Sequence, residues 1–180
     1  MSYYRRNLPH WHPEGTSIFL TWSLHGTHAR QQRDSTSDPG QAFLTYDRAL
    51  DKAASGPKWL QEPAIAQCVI DALVFGEQQL GLYALSAFCL MPNHVHAIIQ
   101  PCVEVSKITK SVKGFTAREA NLILGRTGER FCQDESYDHW IRNETEWNRI
   151  VRYTERNPVT AGLVEAAEQW PWSSATRTAT

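Results

Sequence analysis

LYALSAFCLMPNHVHAIIQP, Leu82 to Pro101, is the stretch that decides the fold. Two apolar runs, LYALSAFCLM and HVHAIIQP, flank the short turn MPN. Runs of this length and composition read as strands, and so short a connection makes them an antiparallel pair. In the second run Val95, Ala97, Ile98 and Ile99 mark a buried strand, whose side chains alternate between its faces. His94 and His96 are therefore expected on one face, as neighbours. Burying two imidazoles without partners is costly, so the pair needs hydrogen bonds or a cation. Structural histidines and metal ligands are both open readings, and a metal would need a third protein ligand from elsewhere in the chain.

Upstream of the hairpin, TSIFLTWSL (Thr16 to Leu24) reads as a first strand, rich in β-branched and aromatic residues. HGTHARQQRDSTSDPGQ is a polar loop, and its His25 and His28 are read as loop residues. A helix is expected around Phe43 to Ala53, then the turn SGPKW, then a firmer helix from Pro63 to Gln79. Pro63 suits its first turn, and Ile65, Val69, Ala72 and Leu73 form its apolar stripe. Downstream, a helix over Lys107 to Leu124 places Ile108, Val112, Phe115 and Leu122 on one side before GRTGERF breaks it. The last helix is expected from about Glu144 to Asn157, with Asn143 as N-cap, Glu146 three residues on, and Asn157-Pro158 as its end. EQWPWSSA then forms a loop whose two tryptophans cover the core. Strand, helix, strand pair, helix, helix indicates an α+β class, with helices packed on an antiparallel sheet.

The bulk properties agree with one domain over 1–180: 180 residues, 42% hydrophobic and 21% charged. The four cysteines are widely spaced with no Cys-x-x-Cys, which argues against a zinc knuckle or disulfide framework and suits a reducing compartment. The N-terminal MSYYRRNLPHW lacks an apolar signal core and no run reaches membrane-spanning length, so a cytoplasmic protein without a membrane partner is expected. A formal net charge of −1 excludes a general polycation. The charge is nevertheless uneven: Lys107, Lys110, Lys113, Arg118, Arg126 and Arg130 face only Glu119 and Glu129 in their stretch. That cluster is either a solvated face or a local phosphate-binding strip. Finally, NRIVRYTERNPV puts Tyr153 and Asn157 one turn apart on the flank of the last helix, beside the stripe of Trp147, Ile150, Val151 and Thr154. On spacing alone they read as a rim aromatic and a helix-ending amide.

MPNHVHAII resembles the histidine–hydrophobic–histidine (HUH) motif of single-tyrosine transposases. YRRNLP, KGFTAREAN, DESYDHWIRNE, RYTERNPVTAGLV and WPWSS follow the pattern of REP-associated tyrosine transposases, from Tyr4 to about Ala175. The triplet alone is a weak signal; the ordered set is specific. The resemblance implies a ferredoxin-like antiparallel sheet packed against helices, the HUH endonuclease fold, with His94 and His96 on a central strand. It implies Tyr153 as nucleophile and the Asn157 amide as third metal ligand. Tyr137 is the alternative nucleophile, in a segment read as a loop, with Ile141, which cannot bind a metal, four residues on. The cofactor implied is Mg2+ or Mn2+. The activity implied is metal-dependent single-strand DNA cleavage and strand transfer through a 5′-phosphotyrosine, on DNA that is single-stranded or forms repetitive-palindrome hairpins. Tyr4, Arg5 and Arg6, in a basic arm over about 1–12, would read unpaired bases beside the hairpin. Lys107, Lys110 and Lys113 would follow a phosphate path, and His139 and Arg142 would contact DNA or support the site. The chain would act as a monomer or homodimer. The alternative is a transposase descendant that binds hairpin DNA without cutting it. A histidine-based zinc hydrolase is disfavoured because no acidic base is apparent near the motif.

Overall fold

The structure is a computed structural model and describes residues 15–27, 45, 47–51 and 56–176. The expectations at Tyr4, Arg5, Arg6 and His28 fall outside the described residues. Four strands, β1 (Ile18–Ser23), β2 (Tyr83–Leu90), β3 (His94–Pro101) and β4 (Tyr137–Trp140), form one antiparallel sheet in the order β2-β3-β1-β4. A helical segment, α1 (described over residues 47–51), precedes three further helices: α2 (Pro63–Gln78), α3 (Val105–Ile123) and α4 (Glu144–Thr160). Setting α1 aside, β1-α2-β2-β3-α3-β4 is the ferredoxin-like succession, with α4 added at its end.

Both sheet faces are covered. Ile18, Leu20 and Trp22 of β1 and Val95, Ala97 and Ile99 of β3 join α2 and α3 in the larger core. The alternate residues Phe19 and Ile98 point the other way, into a smaller cluster with Ile141 and the α4 side chains Trp147, Ile150, Val151 and Tyr153. Strand β2 serves both clusters by means of a bulge between Leu85 and Ala87. Tyr83 and Leu85 before it, and Phe88 and Leu90 after it, contact the larger core, so the extra residue Ser86 resets the alternation. Ala87 thereby joins the smaller cluster, and Cys89 pairs with His96.

Local signals act as expected at two helix starts. Pro63 opens α2. The Asn143 Oδ1 accepts from the Glu146 N–H at 2.9 Å, while the Glu146 carboxylate reaches back to the Arg142 N–H at 2.8 Å. The tryptophan-containing segment near the C-terminus is also tied down: the Trp170 indole donates to the Leu90 carbonyl at 2.8 Å, and Ser173 bridges Cys89 along the outer edge of β2.

Three expectations are corrected. The segment around Tyr137 is an edge strand rather than a loop: Tyr137 pairs with Thr21 and Trp140 with Ile18. Pro158 lies inside α4, which runs to Thr160. Proline removes one backbone donor, and the helix continues because Ala161 N–H still bonds the Asn157 carbonyl at 2.9 Å. On α3 the buried residues are Ile108, Thr109, Val112, Thr116, Ala120 and Asn121, whereas Phe115 and Leu122 are exposed. Ile108 and Val112 of the expected stripe are buried, and the later part of the buried side is made by Thr116, Ala120 and Asn121 instead of Phe115 and Leu122.

Candidate metal centre

The two histidines share the sheet face covered by α4, on a strand flanked by β1 and β2. Both are fully buried, and their Nε2 atoms lie 3.1 Å apart. Their other nitrogens are held by neighbours that set the tautomers. Asn93 donates its Nδ2 to the Leu50 carbonyl at 2.8 Å, which leaves its Oδ1 to accept from His94 Nδ1 at 2.7 Å. His94 Nε2 therefore carries a lone pair. The Asn157 Nδ2 donates to His96 Nε2 at 2.8 Å, so His96 Nδ1–H donates to Thr21 Oγ1, also at 2.8 Å. Burial, reinforced by His96, holds the His94 imidazole well below its ordinary pKa and so neutral.

Both Nε2 atoms thus present acceptor nitrogens to the site, that of His96 met by the Asn157 amide, and a carboxylate completes the group. Asp47 of α1 is fully buried, with Oδ1 3.3 Å from His96 Nε2 and 3.5 Å from His94 Nε2. Among the described residues that oxygen accepts no hydrogen bond. Burial alone would raise the Asp47 carboxyl; positive charge on the imidazoles, His96 foremost, and the Tyr153 hydroxyl that donates to it hold it below the usual carboxylate range. Three electron-pair donors converging in a dry site repel one another unless a cation or proton lies among them. Metal–ligand bonds of about 2.1 Å separate neighbouring ligand atoms by about 3.0 to 3.4 Å. The three atoms match that spacing closely, so Asp47, His94 and His96 form a group able to hold a divalent cation.

The second Asp47 oxygen faces α4. Tyr153 donates its hydroxyl to Oδ2 in a short hydrogen bond, and Asn157 donates its Nδ2 to the same atom at 3.2 Å. The hydroxyl is held strongly as a neutral phenol, by burial first and then by the Asp47 charge. Ring contacts with Phe19 and His96 fix the Tyr153 side chain between β1, β3 and α4. One turn after Asp47, Asp51 places its Oδ1 3.9 Å from His94 Nε2. Burial and the charge of Asp47 push its carboxyl up to about 7.

The structure therefore gathers His94, His96, Tyr153 and Asn157, four residues singled out from the sequence. It turns the Nδ2 of Asn157, not its Oδ1, towards His96. The sequence reading overlooked Asp47 and Asp51, and with them the carboxylates it judged absent near the motif. The available signal was their spacing of four within an expected helix, which puts both on one face.

The remaining candidates lie elsewhere. Tyr137 shares the sheet face but sits two strands from β3, about 10 Å at the usual strand spacing. His139 Nε2 is 3.1 Å from Glu146, and Arg142 lies over the Trp140 ring, so both brace the approach to α4. Lys107, Lys110 and Lys113 are on α3, across the sheet from the histidines. Lys107 and Lys110 are exposed, whereas Lys113 bonds the Asp134 carbonyl and the Ser136 hydroxyl. Arg118, Arg126 and Arg130 are paired with Glu119, Glu129 and Asp134. Much of the basic cluster is thus internally neutralised.

No protein-family model matches this chain, and no curated protein does. A search of solved structures finds a REP-associated tyrosine transposase bound to a REP hairpin, at 21% identity and a TM-score of 0.59, covering 98% of this chain and 84% of that one. It also finds a candidate transposase from Deinococcus radiodurans at 14% identity and a TM-score of 0.40, covering 84% of this chain and 97% of that one. The first likeness extends over nearly the whole chain, and by it the protein has the fold of a REP-associated tyrosine transposase.

Proposed function

We propose that this protein is a metal-dependent single-strand DNA endonuclease and strand-transferase of the HUH single-tyrosine type, acting on hairpin-forming repetitive palindromic DNA. One observation carries the reading: a tyrosine hydroxyl, an amide, two imidazoles and a carboxylate from three separate elements meet in one buried cluster. His94, His96 and Asp47 would hold Mg2+ or Mn2+, with Asn157 beside them. A cation there would stabilise the charge that develops on a scissile phosphate. The hydrogen bonds to Asn93 and to Thr21 keep both imidazoles presenting Nε2.

Tyr153 is the nucleophile. An unperturbed phenol has a pKa near 10, and burial here opposes ionisation further, so the hydroxyl must lose its proton as it reacts. Asp47 Oδ2 already accepts the hydrogen of that hydroxyl and is placed to take it. The phenol oxygen bonds to phosphorus, the P–O3′ bond breaks, and the departing 3′ oxygen takes up a proton. The products are a 5′-phosphotyrosine and a free 3′-hydroxyl. Attack by another 3′-hydroxyl reverses the step and joins strands without ATP. Tyr4, Arg5 and Arg6 are proposed to read bases beside the hairpin, through stacking and guanine contacts.

The test is incubation with a labelled hairpin oligonucleotide and Mn2+, followed by peptide mapping. An adduct on the peptide containing Tyr153, absent from Tyr153→Phe, is the expected result. An adduct on Tyr137 would move the nucleophile to β4. Tight hairpin binding with no adduct would leave a binding protein that does not cut.

A further inference from the structure

Helix α4 presents three arginines on the side that adjoins Tyr153. Viewed down the axis, Asn157 and Ile150 lie about 40° and 60° to one side of Tyr153, whereas Arg149, Arg156 and Arg152 lie about 40°, 60° and 100° to the other. Asn157 and Ile150 turn towards the sheet, and the three arginines are exposed. No acid of α4 falls within their arc: Glu146 is on the sheet side of Tyr153, and Glu144 and Glu155 are on the far side of the helix. Arg149 Nη2 stands 3.4 Å from Glu146. Among the described residues neither the Arg152 nor the Arg156 side chain has a hydrogen-bond or ion-pair partner. Glu165 and Glu168 line the same groove as these two arginines yet form no ion pair with them. Their guanidinium groups therefore keep their donors for an incoming anion, unlike Arg118, Arg126 and Arg130, which are paired with acids.

We propose that Arg149, Arg152 and Arg156 form a strip that binds the phosphate backbone of a DNA single strand and lays it along α4 past Tyr153. This rests on the DNA reading above and gives that site its strand path. Arg149 is one turn before Tyr153 and Arg156 one turn after it, with Cβ atoms about 5 to 6 Å from that of the tyrosine. A guanidinium meets a phosphate through two parallel hydrogen bonds, so it fixes the direction of the backbone as well as attracting its charge. A strand held on both sides of Tyr153 presents the phosphodiester between them to the flank on which the half-buried ring lies.

The test is fluorescence-anisotropy binding at several salt concentrations, in a Tyr153→Phe background that keeps the DNA intact. One labelled hairpin carries a single-stranded flank and a second ends at its stem. Arg152→Gln with Arg156→Gln should weaken binding of the flanked hairpin and make its log K against log salt shallower by about 1.4, for two single-strand phosphates no longer neutralised. Arg152→Lys with Arg156→Lys should restore the slope, because each lysine still carries the charge. Lys107→Gln with Lys110→Gln on α3 should leave it unchanged. An unchanged slope in the glutamine variant of α4 overturns the proposal. So does an equal loss on the hairpin without a flank, which would place the arginines on the stem. A slope lost only in the α3 variant overturns it too, by moving the path across the sheet. Failure of the parent protein to bind either hairpin overturns the DNA reading itself, and this inference with it.

Discussion

Asp47 joins the two halves of the site: one oxygen faces the imidazoles and the other accepts from Tyr153 and Asn157. Its charge is one reason the Tyr153 phenol is so hard to ionise, after burial itself. Asp47→Asn should therefore lower the Tyr153 pKa in the metal-free protein, while burial still keeps it above that of a free phenol. Ultraviolet titration of the phenolate band, with Tyr153→Phe as the blank, measures this. An unchanged or higher value would mean that the carboxylate does not govern the hydroxyl. Asp51 and His94 make a second prediction, about stability. Asp51 holds its proton to about pH 7 against 3.8 in an unfolded chain, and its contribution to stability falls as pH rises between those values. His94 takes a proton only near pH 3 against 6.5 unfolded, and its contribution rises with pH over that interval. From about pH 4.5 to 6.5 the two slopes oppose and cancel. Asp51→Asn removes one of them, so its stability relative to wild type should climb by up to about 1.4 kcal/mol per pH unit. Urea melts of metal-free protein at the two ends of the window check this, and a constant difference between the two proteins would refute it.

At the scale of elements, α4 delivers Tyr153 and Asn157, and its start is set by one side chain. The Asn143–Glu146 cap satisfies the first turn, and the Glu146 carboxylate also meets His139 and the Arg142 N–H. That carboxyl is held below its ordinary range: burial would raise it, but those bonds outweigh the burial. Asn143→Ala should cost about 1 kcal/mol in chemical denaturation, with the adduct still on Tyr153, because the cap lies more than two turns from the hydroxyl. A loss of adduct without loss of stability would show that the cap positions the site rather than the helix. The β2 bulge works at the same scale. Without the extra residue Ser86, Phe88 and Leu90 would exchange faces with Ala87 and Cys89, and the larger core would lose two of its buried side chains.

Across the whole molecule, the sheet separates two groups of candidate residues. The candidate centre lies under α4, while the exposed Lys107 and Lys110 lie on α3 beyond the opposite face. A DNA strand that reached both would have to pass around a sheet edge. Base recognition is proposed instead for Arg5 and Arg6. Replacing Arg5 and Arg6 with alanine should weaken binding to the cognate hairpin more than to a scrambled one at fixed salt. Equal losses would reduce the arm to nonspecific phosphate contact. Among the described residues no helix is long and apolar enough to cross a membrane.

The sequence by itself determined the α+β class, the β2–β3 hairpin, the shared face of His94 and His96, and the pairing of Tyr153 with Asn157 along α4. Each follows from a local period or a local cap: two residues for a strand, four for a helix turn, an asparagine at a helix start. It did not disclose β4, whose four residues gain their ladder only from β1, nor the continuation of α4 through Pro158. Nor did it disclose the carboxylates of the site. Asp47 lies far upstream of His94 in the chain, and no local period links residues so widely separated. Only the packing of α1 against the histidine face brings its oxygen within 3.5 Å of both imidazoles. Side chains that meet through tertiary contact are set by the closing of the whole fold, and that is why the tyrosine and the histidine pair were legible in the sequence while the acid between them was not.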